Sequence, residues 1–174
     1  MANLEQGFKL AAVIFDLDCL VETENPTLAR SGLLDLLAQL SQPNTPVAVI
    51  LKSSQSKNIL VQAGLDHFFS ETIILSEEDE SNATPTNVVL EAAERIKVDP
   101  SRQLVFTESV LVTKAAKEAG SLVVGMPNRS YDFQTRADLI IAGAISYFPS
   151  WGNINLDVLT EGLNSFRQYH PSPK

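Results

Sequence analysis

Cysteine is nearly missing from this chain of 174 residues: Cys19 is the one instance, so no internal disulfide can staple the fold. Histidine is almost as scarce, and neither His67 nor His170 lies near Cys19 in sequence, which weakens any reading of that thiol as a histidine-assisted nucleophile. Basic side chains are in the minority. The 13 Lys and Arg against 21 Asp and Glu leave a net charge of −8, which argues against nucleic-acid backbones and anionic membranes as partners. No apolar stretch approaches the length of a membrane span, and no charged-then-apolar leader opens the chain. With the lone cysteine, these absences point to a reducing, cytoplasmic compartment, with an organelle lumen reached through a since-removed leader as the alternative. What is plentiful is apolar surface. At 44% apolar side chains the chain can fill one core but hardly two, so a single domain over residues 1–174 is expected.

Short β-branched runs alternate with longer stretches of helical period, the pattern of an α/β protein with a mainly parallel sheet flanked by crossover helices. The runs predict strands at 11–16, 46–51, 71–75, 103–107, 121–125 and 138–141. Between them, helices are predicted over 27–40, over 56–63 up to Gly64, over the alanine-rich 86–96, and over 110–119 up to Gly120. A last helix is predicted over about 156–166, in a C-terminal extension of 146–170 that follows a core of about 9–145. Residues 76–87 read as a solvated acidic loop and 171–174 as a frayed tail. No internal repeat is present.

The densest chemistry is at 11–18, Ala-Ala-Val-Ile-Phe-Asp-Leu-Asp, where an apolar strand delivers Asp16 and Asp18 at its carboxyl end. Open α/β sheets build their sites there. Two acids at i and i+2 of an extended segment share a face, so they can share one Mg²⁺ or one phosphoryl group; a strand followed by a polar turn is the bland alternative.

Phe15-Asp16-Leu17-Asp18 followed by Cys19-Leu20-Val21-Glu22-Thr23 resembles the first motif of the haloacid dehalogenase superfamily. Ala63-Gly64-Leu65-Asp66-His67-Phe68-Phe69, Val88 to Pro100 and Leu104 to Gly120 resemble its phosphatase and β-phosphoglucomutase-like branch, in order, across roughly residues 9–145. The resemblance implies a three-layer, Rossmann-like domain. It also implies Asp16 as the nucleophile that forms an aspartyl-phosphate, Asp18 as general acid and base, and Mg²⁺ held by Asp16, Asp18 and Glu108.

Measured against that pattern, several positions depart. Cys19 stands where the family has a glycine, so its Cβ would strain the turn if the backbone needs positive φ. Leu51 stands where a Thr or Ser hydroxyl binds the phosphoryl group; Ser53 and Ser54 are the nearby substitutes, with a helix N-cap as their structural reading. Ala83 stands where a lysine neutralises the nucleophile and the phosphoryl group, and Lys52 is the nearby cation that can replace it, an exposed loop lysine being the alternative. Glu108 stands in place of an aspartate that holds the metal, and Val112 at a position often held by glycine.

The stretches from Asp16 to Leu51 and from Ser54 to Ala83 are too short to hold an inserted cap domain, so the site is expected to be open. Three readings follow. The chain is a degenerate scaffold, a weak or inactive phosphatase that binds a protein partner; or a capless Mg²⁺-dependent phosphatase of a phosphorylated small molecule or phosphoprotein; or a fold that a divalent ion merely stabilises. For a protein partner the aromatic segment Tyr147-Phe148-Pro149-Ser150-Trp151 is the candidate anchor, against the reading that these rings pack the sheet edge or the last helix.

Overall fold

The computed structural model describes residues 8–75, 86–127 and 133–171. Six strands form one parallel sheet: β1 (Ala12–Asp16), β2 (Val47–Leu51), β3 (Glu71–Ile74), β4 (Gln103–Thr107), β5 (Leu122–Gly125) and β6 (Ser146–Tyr147), in the order β3-β2-β1-β4-β5-β6. The chain leaves β1 to build one half of the sheet and then crosses back to build the other. Open α/β sheets place their sites where the strand order reverses, here beyond the carboxyl ends of β1 and β4.

Burial explains why the strands read as continuous apolar runs. Every residue of β1, β2 and β4 is buried, because helices cover both faces of the sheet. Alternate residues serve alternate faces. Val13, Phe15, Val49, Leu51, Leu104 and Phe106 belong to one core with Leu33, Leu36, Leu37 and Leu40 of α1 (Leu33–Ser41), Leu60 of α2 (Lys57–Gln62) and Leu163 of α6 (Leu156–Tyr169). Ile14, Ala48, Ile50 and Val105 belong to the other, with α3 (Thr86–Ile96), α4 (Val110–Ala119) and α5 (Phe133–Ala142). The result is the expected three-layer α/β sandwich. No cap domain is inserted among the described residues, and among these no helix is long and apolar enough to cross a membrane.

Two elements differ from their sequence reading. Residues 138–141 are helical, inside α5, rather than a strand. Leu139 and Ala142 are buried while Ile140 and Ile141 face outward, so burial follows helical spacing; the apolar run alone cannot separate the two. Gly143 ends the helix at φ 124, a conformation that suits a residue without a Cβ, and β6 forms just after it. The helix read from 27 begins only at Leu33, after Gly32 at φ 83. A Cβ at Gly32 would stand 2.5 Å from the backbone nitrogen of Gly152, so the turn before α1 is fixed by close backbone approach.

Residues 20–30 instead fold back as a small antiparallel loop, with Val21 bridged to Ala29 and the Arg30 amide donating to Leu20 O. The buried Arg30 side chain donates to the carbonyls of Cys19 (3.2 Å) and Met126 (3.3 Å), binding this loop to the ends of the strands.

The aromatic segment divides. Trp151 is core rather than a partner anchor: 1% exposed, its ring centroid is 5.6 Å from that of Phe15 and 5.1 Å from that of Phe106, and its Nε1 donates to Cys19 O at 2.9 Å. Phe148 is half-buried against the same core. Only Tyr147 lies at the surface among these rings, under the Arg136 guanidinium at 4.8 Å.

Candidate active site

Three adjacent strand ends build the site. β1 lies between β2 and β4, with Asp16 paired to Ile50 in register and Phe15 to Phe106. Asp16 is therefore the last strand residue at the centre of the sheet, Asp18 follows on a 3₁₀ turn (Leu17–Cys19), Lys52 follows β2, and Glu108 follows β4.

Asp16 is almost wholly buried, at 5% exposure. Thr107 Oγ1 donates to its Oδ2 at 2.9 Å, and Thr107 Oγ1 in turn accepts the Ser109 amide at 2.9 Å. The amide fixes the hydroxyl so that its proton points to Asp16. Burial, reinforced by the charge of Asp18, pushes Asp16 up to about 6; the Thr107 hydroxyl, the Asp18 amide and Lys52 oppose the rise. Glu108 is pushed up to about 7 by burial, then by Asp18 and Asp16, with Arg30 and Lys52 opposing. Its Oε2 is buried and has no hydrogen-bond partner. The charge of Asp18 thus adds to the cost of ionising both buried acids.

Lys52 lies where a compensating cation is needed. Its ammonium is ion-paired with the Asp18 carboxylate, and that contact, with the charges of Asp16 and Glu108, holds its pKa above the ordinary lysine range. The lysine side chain is 70% exposed, so the pair is at the mouth of the site.

The remaining predicted positions are not drawn in. Leu51 is fully buried in the core with Phe15 and Leu60, contributing packing and no donor. Ser54 is exposed; Ser53 precedes a 3₁₀ turn (Ser54–Ser56), makes no side-chain cap and places its Oγ 3.2 Å from Ser56 Oγ. The capping reading is corrected accordingly. Ala83 lies outside the described residues. Val112 is buried in the core between the sheet and α3–α4.

Cys19 is neither strained nor reactive. Positive φ at non-glycine residues occurs, among the described residues, at Asn44 and Lys97 and not at Cys19. Its Cβ enters the core, its Sγ donates to Asp16 O at 2.9 Å, and burial pushes the thiol well above its ordinary pKa.

Oxygen donors of this kind suit Mg²⁺ in chemistry. In arrangement they do not fit as they stand. Among the described residues no three such side chains converge to hold one ion, Asp18 is already engaged by an ammonium, and one Asp16 oxygen accepts the Thr107 hydroxyl.

Sequence reasoning missed Thr107 and Arg30. Thr107 carried one usable signal, a hydroxyl residue at a strand end directly before Glu108. Arg30 carried none, since its partners are backbone carbonyls distant in sequence.

No protein-family model matches the chain. A curated relative, the bifunctional riboflavin kinase/FMN phosphatase of Arabidopsis thaliana, is 31% identical over 124 residues, 67% of this chain and 32% of that protein. The chain spans about a third of the length of this relative. Among solved structures, a haloacid dehalogenase family hydrolase of Deinococcus radiodurans with bound phosphate and sodium superposes with a TM-score of 0.71 at 19% identity, covering 91% of this chain and 99% of that one. A haloacid dehalogenase-like protein of unknown function from Agrobacterium tumefaciens gives 0.64 at 24% identity, covering 78% and 61%. A β-phosphoglucomutase of Clostridium difficile gives 0.64 at 16% identity, covering 86% and 62%.

Proposed function

We propose, from the haloacid dehalogenase-like fold that this chain has, that it is a phosphatase-like domain whose aspartate site retains little or no turnover and which serves as a binding or structural scaffold for a protein partner. The observation that carries the reading is the surroundings of Asp16. This carboxylate is buried beside two other acids, its side-chain donor is Thr107, and the ammonium in the site is drawn to Asp18. Phosphoryl transfer to an aspartate passes through a transition state rich in negative charge, which needs fixed cations and donors aimed at the moving oxygens. Leu51 offers no hydroxyl there. Each missing donor lowers the rate by about 10²–10³-fold in comparable oxyanion sites.

One observation favours the second reading, a capless phosphatase. Lys52 does reach the acid cluster, so a cation is at hand for a phosphate monoester that displaces it from Asp18. In that case Asp16 attacks phosphorus, the alcohol leaves with a proton from Asp18, and water then releases phosphate from Asp16. The FMN phosphatase activity in the name of the plant relative makes FMN a natural substrate to include.

Hydrolysis of an aryl phosphate, of FMN and of a phosphometabolite panel, with and without Mg²⁺ and with Asp16→Asn as the matched control, tests the proposal. The expected result is no turnover above the control from folded protein. Turnover that disappears in Asp16→Asn overturns it and establishes the phosphatase reading.

A further inference from the structure

Among the described residues, the Lys52 ammonium is paired with one of three carboxylates at this end of the sheet. Asp16 ends β1 and Asp18 follows on the 3₁₀ turn, with Lys52 entering from the β2 side and Glu108 from the β4 side. The Lys52 ammonium is ion-paired with Asp18 and lies within electrostatic reach of Asp16 and Glu108. A divalent ion set among these acids would need the oxygens that Lys52 already attracts. It would also meet a positive charge on arrival: a unit charge about 5 Å from a divalent ion weakens its binding by roughly tenfold even in water-like surroundings. The buried Oε2 of Glu108 has no hydrogen-bond partner, so a cation admitted once the ammonium is gone would find a free oxygen there.

We propose that Lys52 is the resident cation of this site and that its ammonium, standing among Asp18, Asp16 and Glu108, keeps Mg²⁺ out. The inference rests on reading these acids as the phosphoryl site, and not on how fast that site turns over. Any phosphate group that enters meets an ammonium donor instead of a metal, and it must draw Lys52 away from Asp18.

Thermal unfolding and calorimetric titration with MgCl₂, against NaCl of matched ionic strength, decide the matter without an activity assay. Wild type is expected to shift by less than about 1 °C at about 10 mM Mg²⁺, whereas Lys52→Met is expected to bind the ion at least tenfold more tightly and to rise by about 3–6 °C. Lys52→Gln serves as the second charge-removing variant, and adding Glu108→Gln to Lys52→Met is expected to abolish the gain. A wild-type shift as large as that of Lys52→Met overturns the proposal. So does the absence of a shift in both Lys52 variants, which would show that something other than the ammonium excludes the ion. Hydrolysis by wild type that is indifferent to Mg²⁺ would sink the low-turnover reading while leaving this inference standing.

Discussion

The two sides of Asp16 are built on opposite terms. Toward β4 the strand end is polar: Thr107 donates to the carboxylate, Ser109 orients Thr107, and Glu108 follows with an oxygen unpartnered. Toward β2 the strand end is apolar, for Leu51 is core, and polarity begins only with Lys52 at the surface and with Ser53 and Ser54, which do not reach Asp16. A hydroxyl is present beside the central aspartate, but it comes from the neighbour on the other side of β1. A carboxylate buried between strands needs a donor. That requirement fixes the presence of a donor and leaves open which neighbour supplies it.

The comparison breaks most visibly at Leu51. Leu51→Ala is expected to lower stability by about 2–5 kcal/mol in urea unfolding, as deletion of a wholly buried leucine does. A loss of only a few tenths would mean that this strand end is not core, and the contrast between the two sides would fail.

The pH dependence of stability reports on Asp16 and Glu108 together, and a substitution separates them. Asp16 titrates near 6 when folded against 3.8 as its ordinary value, so the folded state holds its proton more tightly than the unfolded state does. Its contribution is fully present below about pH 4 and is lost as pH rises through about 6, to the extent of about 2–3 kcal/mol. Asp16→Asn is expected to remove the Asp16 share of this fall while that of Glu108 remains, leaving the variant more stable than wild type at pH 8 and similar at pH 4. Denaturant midpoints across that range check the sign, and a wild type that gains stability from pH 4 to 7 while Asp16→Asn does not would contradict it.

Hydroxyl deletions sharpen the contrast on a smaller scale. Thr107→Val is expected to destabilise by about 1–3 kcal/mol at pH 8, because it strips a donor from a buried carboxylate. Ser53→Ala and Ser54→Ala are expected to stay within about 0.5 kcal/mol of wild type, as surface changes do. Equal effects on the two sides would erase the distinction.

Legibility in the sequence followed the range of the forces involved. Helices α3 and α4 appear over the predicted residues, and the limits of α4 are local: Ser109 caps it through the Val112 amide, and Gly120 closes it in the left-handed region. Asp16 and Asp18 were legible for the same reason, as neighbours at the end of an apolar run. The partners that organise them were not. Thr107 reaches Asp16 across 91 positions, and Arg30 reaches Met126 O across 96. Residues 138–141 are too short an apolar run to separate strand from helix, and nothing in the sequence shows how close Gly32 comes to Gly152, which delays the helix predicted from 27 to Leu33. Lys52 was legible as a nearby charge, whereas its choice of Asp18 over Asp16 is a matter of geometry.

The carbonyl of Cys19, next to Asp18, accepts from Trp151 Nε1 across 132 positions. During synthesis the aspartate pair emerges early, yet its loop gains this anchor only after the strands on both sides have been made and the chain has grown past residue 151. Non-local contacts of this kind are late events in folding, since the loop that they close must first be ordered. A nascent chain stalled before that point would carry the acids without the hydrogen bond that anchors their loop. The anchor of the aspartate loop is therefore translated late, although the aspartates themselves are among the first residues made.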